Sequence, residues 1–171
     1  MTADLFIPKK SGALFSKCRR FRYVLWRIWD QDKPKVMFIG LNPSTANETE
    51  PDPTITRVVN FASRWGYGGV YMLNCFPLVT EDPEYLEMYL YQNNPFYTES
   101  ENFERLKHYG SISDKVIFAW GAFKIVKYRE WDKKIIKLFP EAQALVINKD
   151  GSPRHPLYVN KNVKPIKFVR I

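Results

Sequence analysis

Cysteine and histidine are scarce in this chain. Cys18, Cys75, His108 and His155 are the only members of those two types among 171 residues. None stands at a metal-ligand spacing, so neither a metal site nor a cofactor is expected. Two cysteines cannot build a disulfide scaffold, and Cys75 lies in an apolar run that favours a buried, inert thiol over a nucleophile. No run of eighteen apolar residues occurs, which excludes a spanning helix. The first six residues lack the basic and apolar regions of a signal peptide, so a cytoplasmic protein with no membrane partner is the expectation. Lys and Arg are missing between Arg64 and Arg105, where Asp82, Glu84, Glu87, Glu99, Glu101 and Glu104 gather.

Apolar residues make up 45% of the chain and aromatic residues 16%, enough for one folded domain that needs no staples. The net charge of +8 and pI near 9.4 point to a polyanionic partner. Lys9, Lys10, Lys17, Arg19, Arg20, Arg22 and Arg27 form one basic cluster, and Lys149, Arg154, Lys161, Lys164, Lys167 and Arg170 another. This segregation suits one face turned to phosphates; a merely solvated basic surface would give the same count. Residues 1–20 read as a basic N-terminal segment and 21–171 as a single domain, with a monomer expected.

Tyr23 to Trp29 is aromatic and β-branched and predicts an N-terminal edge strand. Val36–Ile39, Val70–Leu73, Val116–Gly121 and Ala144–Ile147 are short and wholly apolar, as strands buried on both faces are. A long polar loop spans Asn42 to Pro53, and loops of that length are often functional. A helix follows, with Asp52 as N-cap, Pro53 at its first position and Gly66-Tyr67-Gly68-Gly69 ending it. Further helices are expected over 84–91, 98–109 and roughly 122–139, and a last edge strand over 168–171. Trp26, Trp29 and Trp131 read as core or sheet covering, and Met88–Tyr97 as packing plus surface loop. The fold class is α/β: a single-domain, three-layer α/β/α arrangement with a mostly parallel four-stranded central sheet plus the edge strand. In such sheets the ligand lies beyond the carboxyl ends of the strands, where the distinctive loops at Asn42-Pro43-Ser44, Asn74-Cys75-Phe76-Pro77, Trp120-Gly121 and Ser152-Pro153-Arg154-His155-Pro156 converge.

Those loops resemble a known set. Gly40-Leu41-Asn42-Pro43 resembles the first motif of the uracil-DNA-glycosylase-like superfamily in its mismatch-specific form. Leu73-Asn74 resembles that superfamily's strand ending in an Asn that reads the base, and Phe118-Ala119-Trp120-Gly121 its third strand. His155-Pro156-Leu157 resembles its second motif, whose commonest form is His-Pro-Ser-Pro-Leu. Two departures stand out: Asn42 occupies the place of an Asp in the uracil-specific branch, and the Ser-Pro insert is missing before Leu157. Asn42-Pro43-Ser44-Thr45-Ala46, Asp52-Pro53-Thr54, Arg57, Trp65-Gly66 and Lys149-Asp150-Gly151 together with Arg154-His155-Pro156-Leu157 are similar to a family of small bacterial and phage proteins related to the same superfamily, with no activity to transfer.

The resemblance implies hydrolysis of an N-glycosidic bond in DNA, on a base flipped out of the stack. Such a site must stabilise negative charge on the departing base and hold a water beneath C1′. His155 is the donor to a base carbonyl, unless it is a plain loop histidine. Asn42 either binds the attacking water or caps its turn through an Asx hydrogen bond; it cannot act as a base. Asp52 takes the water proton only if the long loop folds back over the site; otherwise it is a helix cap. Asn74 suits reading of a pyrimidine edge, with Phe76 or Tyr67 stacking on the base. Ser44, Thr45, Ser152, Arg154 and Lys149 are candidates for phosphate contact, and Leu157 or Tyr158 for a wedge. The expected partner is DNA, double- or single-stranded, and the target a damaged or enzymatically modified base, a pyrimidine first, in repair or in defence against modified phage DNA. A non-catalytic binder of a base or nucleic-acid end, and an enzyme of free nucleotides, are the alternatives.

Overall fold

The computed structural model describes residues 10–92 and 96–169. In chain order these form β1 (Lys10–Phe15), β2 (Arg22–Ile28), β3 (Lys35–Gly40), α1 (Pro53–Arg64), β4 (Gly69–Asn74), α2 (Pro83–Gln92), α3 (Phe96–Ser111) and β5 (Lys115–Phe118). A 3-10 segment (Lys124–Glu130), α4 (Trp131–Leu138), β6 (Gln143–Ala144), a short 3-10 turn (Pro156–Tyr158) and β7 (Ile166–Lys167) complete them. The strands join in one seven-stranded sheet of order β1-β2-β4-β3-β5-β6-β7.

β4, β3, β5 and β6 run parallel; the first three fall on three of the apolar runs and β6 at the start of the fourth. β1 and β2 on one side and β7 on the other are antiparallel, so the sheet is mixed and larger than the expected four strands plus one. The strand around Tyr23–Trp29 is not the edge. It lies between β1 and β4, because Lys10–Phe15, within the basic N-terminal stretch, pairs along it. Of the fourth run only Ala144 makes the ladder, joined by Gln143 just before it, and the last strand falls at Ile166–Lys167 rather than 168–171. Arg170 and Ile171 lie outside the described residues, as do residues 1–9 and 93–95, with the tip of the expected 88–97 segment.

Side chains alternate across the central strands. Val36, Phe38, Val70, Met72 and Ile117 join Ile55, Val58, Phe61 and Ala62 of α1 in one buried layer. Met37, Ile39, Leu73 and Phe118 pack on the other face with Leu86 and Leu90 of α2, Leu106 of α3, and Trp131 and Ile135 of α4. This gives three layers, and apolar side chains on both faces are what the continuous apolar runs required. Cys75 is wholly buried in the second layer, with its thiol pushed well up by burial. Trp29 and Trp131 are buried.

α1 starts as its cap chemistry dictates. The Asp52 carboxylate accepts from the Ile55 N–H at 2.8 Å, Pro53 opens the helix, and Gly66 follows its end at φ 85°. The expected single helix over 122–139 is broken instead. Arg129 and Glu130 are left-handed, at φ 52° and 56°, so a 3-10 segment precedes a short α4. Trp131 then enters the core, stacked on Phe76.

Candidate functional site

The chain leaves β3 toward β4 on one side through α1, and leaves β4 toward β5 on the other side of β3 through α2 and α3. The carboxyl end of β3 is therefore a topological switch point, where the two connections diverge to opposite faces and open a crevice. A cavity of about 310 Å³ lies there, lined by Arg22, Asn42, Ser44, Asp52, Asn74, Glu81, Phe123, His155 and Tyr158 among others. Its size is at the lower end for small-molecule sites.

Gly40 and Asn74 end the adjacent strands β3 and β4, paired in register. A Cβ on Gly40 would sit 2.7 Å from Asn74 Oδ1 and from Met72 Cε, so glycine makes room for the carboxamide. Asn74 is buried, and its Nδ2 has no acceptor among the described residues. Asn102 of α3 fixes the backbone behind it by donating to the Asn74 and Cys75 carbonyls at 2.9 and 3.2 Å. Asn42, two residues beyond β3, donates through Nδ2 to the carbonyls of Pro43, Leu78 and Thr80 at 3.1, 3.1 and 2.8 Å. Three surrounding carbonyls identify that atom as the amide nitrogen. Asn42 thus ties the first loop to the one after β4, while lining the cavity.

The long loop does fold back. Arg22 Nη1 donates to Ala46 O at 2.8 Å, Arg27 Nη2 to Asn47 O at 2.7 Å, and Arg19 pairs with Glu48 at 2.8 Å. These contacts carry Asp52 to the cavity wall. There its Oδ2 accepts from Ser44 Oγ at 2.7 Å, while Oδ1 caps α1. Asp52 is therefore both a helix cap and a cavity residue.

His155 enters on the loop after β6. The Gly121 N–H donates to Pro153 O at 2.8 Å, and Arg154 N to Val146 O at 2.8 Å, fixing that loop against the ends of β5 and β6. Gly121 has φ 77°, and its missing Cβ would lie 3.6 Å from His155 Cβ. His155 Nδ1 accepts from the Leu157 N–H at 3.3 Å. That bond puts the proton of the neutral ring on Nε2, making Nε2 a donor. Burial lowers the His155 pKa, with Asp52 pulling the other way, so the neutral ring is favoured.

Asn42, Ser44, Asp52, Asn74 and His155 thus share one cavity, and other expected residues do not. Phe76 is stacked on Trp131 at 1% exposure, because the chain turns it into the core below the strand end. Tyr67 precedes β4, at the amino end of the sheet, and donates to Asp114 at 2.7 Å. Neither can reach a base in the cavity. Thr45 lies in a separate depression with Phe15 and Arg19. Ser152 donates to Asp150 at 2.6 Å within its own turn, Arg154 Nε donates to Asn148 at 2.7 Å beside the cavity, and Lys149 is exposed on that turn. Leu157 is exposed outside the cavity lining, whereas Tyr158 lines it.

The sequence pattern missed Arg22 and Phe123 as cavity walls, and offered Tyr158 only as a wedge. Phe123 and Tyr158 are 41% and 77% exposed at the mouth, with Tyr158 beside the His155 ring. Two exposed aromatics flanking a histidine loop are a readable signal, but only once Gly121 and His155 are known to be neighbours. Among the described residues, no group of three or more His, Cys, Asp or Glu is placed to hold a metal ion, and no helix is long and apolar enough to cross a membrane.

Residues 22–157 match the family model described as a protein of unknown function (DUF1643), and the chain belongs to that family. No curated protein matches, and no solved structure matches. The likeness to the uracil-DNA-glycosylase-like superfamily accordingly rests on the loop motifs alone.

Proposed function

We propose that this chain hydrolyses an N-glycosidic bond, releasing a damaged or enzymatically modified base, a pyrimidine first, from DNA in which that base is flipped into the cavity. The observation that carries the reading is the convergence of Asn42, Asp52, Asn74 and His155 on one cavity at the carboxyl ends of β3 and β4. As the C1′–N bond breaks, its electron pair passes to the base, and the neutral His155 donates from Nε2 to the base carbonyl where that charge collects. Asn74 Nδ2, without an acceptor among the described residues, donates one of its two hydrogens to a second acceptor on the base edge. Water bonds to C1′ and gives its proton to the Asp52 carboxylate, with Asn42 positioning it through the carboxamide oxygen. Phe123 and Tyr158 take the stacking role that Phe76 and Tyr67 cannot fill. Removal of such a base fits repair, or defence against modified phage DNA.

The test uses duplex and single-stranded oligonucleotides carrying a panel of altered bases, followed by alkali. Strand breaks at one altered base, at least a hundredfold slower with His155→Ala, are expected. No break anywhere on the panel, or equal cutting by His155→Ala, would overturn the reading.

A second reading, release of a base from a free nucleotide, has one observation in its favour. Arg19, Arg22 and Arg27 hold the loop at Ala46–Glu48, which leaves that basic stretch fewer groups for a polymer backbone. Equal turnover of a free nucleotide and an oligonucleotide would favour it.

A further inference from the structure

We propose that the floor of this cavity is an oxyanion subsite in which Arg22 supplies the charge and Asn74 a second donor, so that the ligand reaching it carries a phosphate or carboxylate group.

Arg22 opens β2, and because β2 runs antiparallel to β4, that residue lies where β4 finishes. Its N–H donates to Pro77 O in the turn after that strand, at 2.9 Å. The side chain is 2% exposed and lines the cavity. Nη1 donates to Ala46 O, whereas Nε is buried with no partner among the described residues. No ion pair of Arg22 exists among the described residues. Burial lowers its pKa to about 10, which leaves the guanidinium cationic at neutral pH. A buried charge without a counter-ion is destabilising, and an anion seated in the cavity would relieve that penalty.

A loop clamp alone does not account for this residue. One backbone carbonyl needs a donor, and it does not need a buried charge or an unused Nε. Asn74, whose buried Nδ2 also has no partner among the described residues, lines the same cavity. A planar guanidinium beside an amide donor matches two oxygens of one phosphate or carboxylate.

The other titratable groups on the cavity wall are Asp52, Glu81, His155 and, at the mouth, Tyr158. Asp52 acts on Arg22 through space, but its two oxygens face Ile55 N and Ser44 Oγ, and the positive end of α1 offsets its charge. Glu81 is exposed at the rim. His155, neutral, offers a donor. The unused donors are therefore those of Arg22 and Asn74, while the carboxylates of Asp52 and Glu81 are engaged at the helix cap or exposed. This assignment concerns binding alone and holds whether or not a base is released.

The test follows thermal unfolding of the full chain against inorganic phosphate and, separately, acetate, with KCl at matched ionic strength as the baseline. A saturable rise in Tm above the KCl baseline is expected, of roughly 5–10 °C at a hundredfold excess over Kd. It should vanish in Arg22→Gln and shrink in Arg22→Lys. A response to phosphate but not acetate assigns the natural group as a phosphate; the reverse assigns a carboxylate. Should Arg22→Gln fail to fold, wild-type protein still decides, because an anion held in the cavity raises the His155 pKa measured by NMR. Absence of a saturable shift, a shift retained in folded Arg22→Gln, or a bound anion that leaves His155 unmoved would overturn the subsite in favour of surface lysines.

Discussion

Asp52 has two duties that one pair of substitutions separates. Its Oδ1 caps α1 at Ile55 N, and its Oδ2 faces the cavity and receives the Ser44 hydroxyl. Asn caps a helix as well as Asp does, and Ser44 can rotate its hydroxyl to accept from an amide. Asp52→Asn should therefore keep stability within about 0.5 kcal/mol, a Tm change under about 2 °C for a domain of this size. Asp52→Ala removes the cap, at about 1 kcal/mol, and the acceptor of a part-buried hydrogen bond, at about another 1 kcal/mol. Its Tm should fall by roughly 4–8 °C. Activity should divide differently, since neither variant has a carboxylate to take the water proton. Both should lose on the order of 10²–10⁴ in single-turnover base release. The assay pairs thermal unfolding with single-turnover release on the substrate that the altered-base panel identifies. An Asp52→Asn chain that melts like wild type and retains more than a tenth of its rate would reduce Asp52 to a helix cap. One that melts much lower would refute the assumed equivalence of the two caps.

Three other outcomes follow from the same geometry. Burial lowers the His155 pKa below its ordinary value of about 6.5, so the unfolded chain takes up this proton first as pH falls. The residue's contribution to stability should be complete above pH 6.5 and decline as pH drops toward the folded-state value. His155→Gln should flatten that part of a stability–pH curve, and an unchanged curve would refute the burial effect. Gly40→Ala forces a Cβ against Asn74 Oδ1 and Met72 Cε; a destabilisation of about 1–3 kcal/mol in urea unfolding is expected, with a larger loss of base release, and wild-type values for both would show that Asn74 has room to move. Phe123→Ala and Tyr158→Ala, at exposed positions, should change stability by less than about 0.5 kcal/mol. Each should weaken substrate binding about tenfold, as loss of one stacking partner does; unchanged affinity in both would leave the mouth without a stacking role.

What was legible in the sequence was whatever is decided locally. Strands buried on both faces need continuous apolar runs, so Val36–Ile39 and Val70–Leu73 were visible. The start of α1 was visible in Asp52-Pro53, because cap and first-turn chemistry involve neighbours only. β1 was hidden because Ser11-Gly12-Ala13 has weak strand character; its pairing depends on Gly12, where any Cβ would fall 2.2 Å from the Trp26 ring. The break at Arg129 and Glu130 was hidden for a similar reason. No Gly or Pro marks it, and the left-handed pair is imposed by seating Trp131 against Phe76 and Phe103. Of the candidate site, the polar residues at strand ends were readable, since strand direction alone brings Asn42, Asn74 and His155 to one rim. The aromatic partners were not. Phe76 lies close to Asn74 in sequence, but whether it faces the cavity or the core is set by the turn after β4, which Asn102 and Trp131 fix from helices far along the chain.

The basic stretch shows why charge counts mislead where positions do not. Arg19, Arg20, Arg22 and Arg27 within one short segment resemble a phosphate-facing surface when only their number is considered. In the fold, Arg22 and Arg27 are buried, Arg19 is paired with Glu48, and Arg20 lies near the ring of Tyr89. Three of the four hold the 42–53 loop, and that loop delivers Asp52 to the cavity. Arg22 and Arg27 therefore act inward, assembling the site, while Arg19 and Arg20 remain on the surface. Arg27 has both of its terminal nitrogens bonded to backbone carbonyls, whereas Arg22 reaches one carbonyl and keeps a buried Nε with no partner among the described residues. If clamping the loop were the whole task, both arginines should end equally satisfied. The difference between them falls at the residue that lines the cavity, which is where a ligand's negative charge would complete the set.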